Sequence, residues 1–168
     1  ASRQAKGKAI INLVELGPGE KAAAFVPVRE FKEDQFLVMV TAKGLIKKTA
    51  LSAYGNPRRG GIVGMGLEEG DRLIQVVLTD GHQEFLLATT EGKAIRFPEA
   101  QVRDMGRGAK GVKGITLAKK DEVVGMALCS KDATVLTVTA NGFGKRTPVE
   151  QYRTQSRGGK GIINLKIS

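Results

Sequence analysis

One short block, in which basic residues run into glycine, occurs four times along the chain: Arg3-Gln-Ala-Lys-Gly7, Pro57-Arg-Arg-Gly-Gly61, Arg107-Gly-Ala-Lys-Gly111 and Arg157-Gly-Gly-Lys-Gly161. The closing glycines stand 54, 50 and 50 residues apart. Each block is followed by a short apolar segment, ending at Leu13, Leu67, Leu117 and Ile167. A second block alternates with the first: Thr41-Ala-Lys-Gly44, Thr89-Thr-Glu-Gly92 and Thr139-Ala-Asn-Gly142. A basic residue stands four places after each of these glycines (Lys48, Arg96, Arg146), and Tyr54, Val102 and Tyr152 stand ten places after. A fixed period of this length marks a repeat architecture, in which one supersecondary unit is copied and stacked. The spacing predicts a single domain over 1–168, with repeats at 3–56, 57–106 and 107–156 and the opening of a fourth at 157–168.

Within a repeat the apolar residues fall in strand-sized groups. Val123–Leu128 and Thr134–Thr139 are short, rich in β-branched residues and bounded by turn formers. Asn141-Gly142 reads as a type I′ hairpin turn, whose two central residues both need positive φ. No window carries a sustained 3.6-residue apolar period, so helices should be few and short. About four strands fit in a repeat of about 50 residues, the size of a propeller blade. The expected fold is therefore all-β: a propeller-like or pinwheel array of four-stranded antiparallel blades, about three complete and part of another. Repeat one has extra residues around Gly17-Pro-Gly19 and from Val28 to Asp34, which should form longer loops.

The chain carries 27 Lys and Arg against 17 Asp and Glu, a net charge of +10. Such an excess implies a polyanionic partner, and its placement within the repeat sharpens the inference. The four Arg/Lys-Gly blocks, each read two residues past its last glycine, and the five residues after each hairpin glycine hold 16 of the 27 basic residues and none of the acids. The acids collect elsewhere, at Glu68-Glu69, Asp71 and Asp121-Glu122. If repeats turn around an axis, matched positions fall on one rim and make a basic belt. Candidate phosphate contacts are Arg3, Lys6, Lys8, Arg58, Arg59, Arg107, Lys110, Lys113, Arg157 and Lys160 from the repeat starts. Lys47, Lys48, Lys93, Arg96, Lys145 and Arg146 join them from the hairpins. Gly7, Gly61, Gly111 and Gly161 should shape the turns and let backbone N–H groups approach phosphate oxygens.

Other chemistries find little support. Gly106-Arg-Gly-Ala-Lys-Gly111 fits the G-x-G-x-x-G pattern, but Val112 to Leu117 is no helix opener and the block recurs as a repeat unit. Gly144-Lys145-Arg146-Thr147 lacks the upstream glycine of a phosphate-binding loop, where Thr139 stands. Gly142-Phe143-Gly144 continues with Lys145 where an RNA-recognition signature needs an aromatic. Aromatics make up 5% and Trp is absent, against both a base-stacking platform and Trp-bearing blades. His82 reads as an exposed turn residue, and one His with one Cys does not make a zinc site. Cys129 has no partner for a disulfide, which fits a reducing compartment, and a small buried residue is its expected role. Tyr54 and Tyr152 share a repeat position, which favours packing over catalysis. No signal peptide is visible, and no apolar run approaches the ~20 residues of a membrane helix, so no membrane partner is expected. The sequence begins in mid-pattern, as an excised piece would.

Gln155-Ser-Arg-Gly-Gly-Lys-Gly161 resembles the Q-R-R-G-G-K-G box of the C-terminal domains of bacterial DNA gyrase A subunits, within the type II topoisomerase A-subunit family, and differs only at Ser156. Thr139 to Thr147, Gly111 to Ile115 and Tyr152 to Arg157 resemble late blades of the same domain. The resemblance implies a β-pinwheel, a disc whose neighbouring blades exchange strands and whose basic perimeter wraps duplex DNA. As partners it implies the remainder of the gyrase A subunit, together with the B subunit. It also implies a bacterial, nucleoid-associated cytoplasmic location and a supporting role in ATP-dependent negative supercoiling. No cofactor is expected in this piece, since ATP and Mg²⁺ belong to other parts of such an enzyme, and the family's catalytic tyrosine has no counterpart here. In that family the box stands in the first blade, whereas this near-match closes the chain. Two alternatives stay open: the matching domain of topoisomerase IV, and a basic propeller that binds an acidic protein.

Overall fold

The computed structural model describes residues 6–9, 12–58 and 60–167. Arg3 and Arg59 lie outside the described residues. Three hairpins repeat along the chain: β1 (Phe36–Thr41) with β2 (Leu45–Ala50), β4 (Glu84–Thr89) with β5 (Lys93–Pro98), and β8 (Thr134–Val138) with β9 (Gly144–Pro148). Their registers are equivalent, so Val38↔Lys48, Leu86↔Arg96 and Leu136↔Arg146 are matched pairs. A 3-10 turn follows each hairpin, at Leu51–Tyr54, Glu99–Gln101 and Val149–Gln151. Apart from a 3-10 position at Asn12, these turns are the helical content of the described residues, as the missing 3.6-residue period predicts.

The hairpin loops show why the second sequence block exists. Gly44, Gly92 and Gly142 donate their N–H to the carbonyls of Thr41, Thr89 and Thr139, three residues back. The same threonines accept the next N–H on their hydroxyls, from Leu45, Lys93 and Phe143 at 3.2–3.3 Å. Of each loop only the glycine has positive φ. The turn is therefore a three-residue loop ending in a left-handed glycine, not the type I′ turn read from Asn141-Gly142, because Asn141 keeps negative φ.

The first two hairpins gain their remaining strands from later in the chain. β3 (Leu73–Thr79) pairs with β1, and β6 (Val112–Lys113) pairs with β2, giving the order β3-β1-β2-β6. β7 (Val123–Leu128) pairs with β4, and β10 (Ile162–Ile163) with β5, giving β10-β5-β4-β7. Both sheets are antiparallel, and both carry an irregularity at the same place, between Val40 and Thr41 and between Ala88 and Thr89. A repeat and a blade are thus different units. The segment after the second hairpin runs back to complete the first sheet, and the segment after the third runs back to the second. Among the described residues β8–β9 is a two-stranded sheet.

The two four-stranded sheets pack face to face around one core. Val38, Val40 and Ile46 of the first meet Phe85, Leu87, Ile95 and Phe97 of the second, with Val102, Ile115, Val123 and Met126 closing the ends. Phe85 and Phe97 stack edge to face, 6.0 Å between centroids. Burying one such ring contributes roughly 1.5–3 kcal/mol. The two edges of each sheet have different surroundings. β3 and β7 approach one another, since Gln75 of β3 accepts the N–H of Met126 through Oε1 at 3.0 Å. They form the inner edges, and β6 and β10 lie at the outer ones. Residues 12–35 contain no strand, in keeping with the longer loops expected there. No helix among the described residues is long and apolar enough to cross a membrane.

Candidate nucleic-acid interface

The outer strands set where the first block goes. Arg107-Gly-Ala-Lys-Gly111 leads straight into β6, and Arg157-Gly-Gly-Lys-Gly161 into β10. Both blocks therefore turn at the outermost edge of a sheet. Their last glycines have φ of 98° and 70°, and a Cβ there would come within 2.6 Å of the Ile46 carbonyl oxygen or 2.5 Å of the Ala94 one. Glycine is required twice over, by the left-handed backbone and by the close approach of β2 or β5. Gly61 also has positive φ (78°), whereas Gly7 has no such requirement and nothing near its Cβ position.

These turns form one row. Gly66 N–H donates to Ala109 O at 3.0 Å, and Thr116 N–H donates to Gly159 O at 2.8 Å, so each block leans on the segment that follows the previous one. Two notches open along the row. Arg58 and Arg107 border one of about 510 Å³, with Asn56, Gly61, Ile62 and Val63. Lys93 and Lys160 border another of about 370 Å³, with Thr116 to Ala118. Lys6, Lys8, Arg58, Lys110, Lys113 and Lys160 are exposed, while Arg107, Arg157 and Lys93 are half-buried. Lys110 has Glu68 3.9 Å away, a loose surface pair. Arg157 is held more firmly: its Nε donates to Gln101 O and its Nη1 to Lys113 O.

The hairpin bases divide differently. Lys47 has no exposed surface, and its ammonium donates to the carbonyls of Gly64 and Arg107. Burial, with the charge of Arg107 second, lowers its pKa to about 8. Lys48 is 8% exposed, pairs with Asp104 at 3.3 Å and lies 4.8 Å from the Phe36 ring centroid. Arg96 is bonded to Glu84 through Nε and Nη2, and its Nη1 donates to Val149 O and Tyr152 O. These three were expected on the belt; the structure turns them inward, where they hold the returning segment against its hairpin. Period alone does not distinguish a latch from a phosphate contact, because both recur once per repeat. Lys145 and Arg146 of the third hairpin are exposed, with Arg146 donating to the Thr134 hydroxyl.

Two exposed bases outside the candidate set recur with the period beside the outer turns. Arg103 and Arg153 stand 50 residues apart, each one residue before the bridges Lys48↔Asp104 and Arg96↔Thr154 on the outer side of β2 and β5. Neither forms an ion pair among the described residues. The signal was available, since Val102 and Tyr152 mark the period and an arginine follows each. Acids have a structural role at the hairpin tips. Asp71 Oδ1 accepts the N–H of Lys43, and Asp121 Oδ1 accepts the N–H of Glu91 and the Thr90 hydroxyl. Burial acts to raise the Asp121 pKa, but these hydrogen bonds outweigh it and leave the carboxyl below its ordinary value. No acid falls inside the glycine-basic turns, although Glu68 and Asp104 flank them through Lys110 and Lys48.

Comparison with known proteins bears on what such an edge serves. The sequence matches the family described as DNA gyrase C-terminal domain, beta-propeller, over residues 35–80, 83–130 and 133–168. It is 48% identical over 112 residues to the DNA gyrase A subunit of Clostridium acetobutylicum, a stretch covering 67% of this chain and 14% of that protein. The corresponding protein of Salmonella typhimurium is 47% identical over 112 residues, covering 67% and 13%. The chain thus spans about one seventh of these relatives. Among solved structures it is similar to the C-terminal domain of DNA topoisomerase IV, with TM-score 0.88, 31% identity, and 94% of this chain and 49% of that one covered. A DNA gyrase A C-terminal domain shares the fold at TM-score 0.84 and 24% identity, covering 95% and 53%.

Proposed function

The chain belongs to the DNA gyrase C-terminal domain family of β-propellers, and from that premise we propose that it binds duplex DNA along the outer edge of its blades and bends it there. The observation that carries this reading is the row of glycine-basic turns leading into β6 and β10, with exposed lysines and no acid inside the turns. Cations fixed at intervals on a convex edge neutralise phosphates and release counterions, which gives strong, salt-dependent binding with little sequence preference. Few aromatics accompany them and no base-reading helix occurs among the described residues, so the contacts position a backbone and leave the bases unread. Bending costs several kcal/mol, which a longer row of phosphate contacts offsets.

The relatives are components of a type II topoisomerase. In that setting the domain supports ATP-dependent negative supercoiling as part of the gyrase A subunit, working with the B subunit in the bacterial cytoplasm on nucleoid DNA. We assign no catalytic residue to this chain; strand cleavage and ATP chemistry belong to other parts of the enzyme.

The test is duplex binding by anisotropy, titrated with salt, on two unrelated sequences. Log affinity should fall linearly with log salt and nearly alike for both duplexes. Lys110→Ala and Lys160→Ala should each reduce the slope by about one. An affinity that stays flat from about 50 to 200 mM salt overturns the reading.

A further inference from the structure

Successive outer-edge turns are fastened to one another, and the two intervals are fastened differently. In both, the backbone bond already described is present: Gly66 to Ala109 in the first, Thr116 to Gly159 in the second. The second interval adds another, from Gly158 N–H to Gly114 O at 2.8 Å, and the Thr116 hydroxyl donates to Gly158 O at 2.6 Å. In the first interval the carbonyl matching Gly114 is Gly64, and side chains occupy it. Lys47 Nζ donates to it at 2.6 Å and the Tyr54 hydroxyl at 3.0 Å. The same ammonium also donates to Arg107 O, the first residue of the next turn.

Lys47 stands in β2 where β5 has Ile95: Met39↔Lys47 and Leu87↔Ile95 are equivalent pairs. Ile95 packs its Cδ1 within 3.5 Å of the Gly159 Cβ position, so the second interval is closed by apolar packing and backbone bonds. The first is closed by a cation shared between two carbonyls on neighbouring turns. We infer that Lys47 is a positioning residue, whose buried ammonium locks the first outer-edge turn to the second and so fixes the step between two successive phosphate contacts. The inference rests on the DNA-edge reading for its consequence, but the lock itself is a property of the free protein. With no exposed surface, Lys47 sets the path of the duplex without touching it.

The experiment compares the 168-residue chain with Lys47→Met, Lys47→Arg and Lys110→Ala on a short duplex carrying a donor and an acceptor at its ends. Lys47→Met should bind within about threefold of the parent and keep its salt slope. Its end-to-end energy transfer should fall, and Lys47→Arg, which keeps a donor, should restore the transfer. Lys110→Ala should lose about one unit of slope while its saturated complex keeps the parental transfer. Amide exchange without DNA supplies an independent arm: the Gly66 N–H should exchange at least about tenfold faster in Lys47→Met, and that of Thr116 should not change. If Lys47→Met does not fold, Lys47→Ile, which copies the second interval, takes its place. A slope loss in Lys47→Met equal to that of Lys110→Ala overturns the inference, because Lys47 is then itself a phosphate contact. Unchanged transfer together with unchanged Gly66 exchange also overturns it, because the side chain then only fills space. If the parent binds no duplex, the proposed function fails, and Gly66 exchange still decides whether the lock exists.

Discussion

At the scale of single residues, the cations of this chain divide by what their charges face. An ammonium or guanidinium taken out of water must be met by acceptors, and Lys47, Lys48 and Arg96 are met by carbonyls, carboxylates and an aromatic face. Lys113 and Lys160 are exposed with no ion pair among the described residues, and exposed Lys110 has only a loose pair with Glu68. Lys47 shows the cost of the first arrangement. Its folded pKa of about 8 lies below the 10.5 of the unfolded chain, so above about pH 8 the unfolded state holds the extra proton. Stability from this residue is therefore weakest at and below pH 8 and rises as pH climbs towards 10.5. Tyr54, bonded to the same Gly64 carbonyl, has its pKa raised chiefly by burial and opposes that rise once pH passes about 10. The urea midpoint of the parent should accordingly gain on that of Lys47→Met between about pH 8 and 9.5, measured at constant ionic strength. A constant difference across that window shows that the buried amine does not titrate there.

At the scale of elements, the turn is the unit that repeats, and its glycines are constrained unequally. Gly61 needs only a left-handed backbone, while Gly111 and Gly161 also admit a neighbouring carbonyl oxygen where a Cβ would stand. Alanine should therefore cost about 1–2 kcal/mol at 61, more than that at 111 and 161, and close to nothing at 7, as read by urea unfolding. Equal losses at 61 and 161 would show that backbone angle alone decides. Much of this level was legible beforehand. The strands expected at Val123–Leu128 and Thr134–Thr139 followed from short segments rich in apolar and β-branched residues, and they stand at Val123–Leu128 and Thr134–Val138; the scarcity of helix followed from the missing 3.6-residue period. The hairpin turn type was not, because Asn141-Gly142 suits a type I′ turn while Thr139 offers a hydroxyl to a longer loop, and the local bonds of Thr139 to Gly142 and Phe143 close the latter. The inward hairpin bases were also hidden. Residues 48, 96 and 146 recur in register whether they face solvent or a returning strand, and only pairing with Asp104 or Glu84 reveals which.

At the scale of the whole molecule, strand exchange decides what opens together. β6 and β10 arrive from one repeat beyond the hairpins they complete, so neither sheet is closed by its own repeat. Phe97 and Phe85 then pack against Val38 and Val40 across the interface, so the two sheets share a core as well as chain. Losing the second hairpin should therefore strip the first of its apolar partners in the shared core. β8–β9 differs among the described residues, with two strands only and with Leu136 and Val138 exposed at 64% and 61%. A two-stranded hairpin is marginal in water. Native-state amide exchange should therefore place β1, β2, β4 and β5 in one slow unit whose opening energies converge in mild denaturant, and β8–β9 in a faster one. Phe97→Ala, which removes about 3–5 kcal/mol from the shared core, should lower the opening energies of β1–β2 and β4–β5 by the same amount. It should leave β8–β9 exchange almost unchanged. If Phe97→Ala loosens β4–β5 while β1–β2 keeps its protection, the sheets open independently, and the outer edge is a chain of separate pieces. A continuous bend imposed on DNA needs the other result, since only turns mounted on one cooperative body hold their spacing against the stiffness of the duplex.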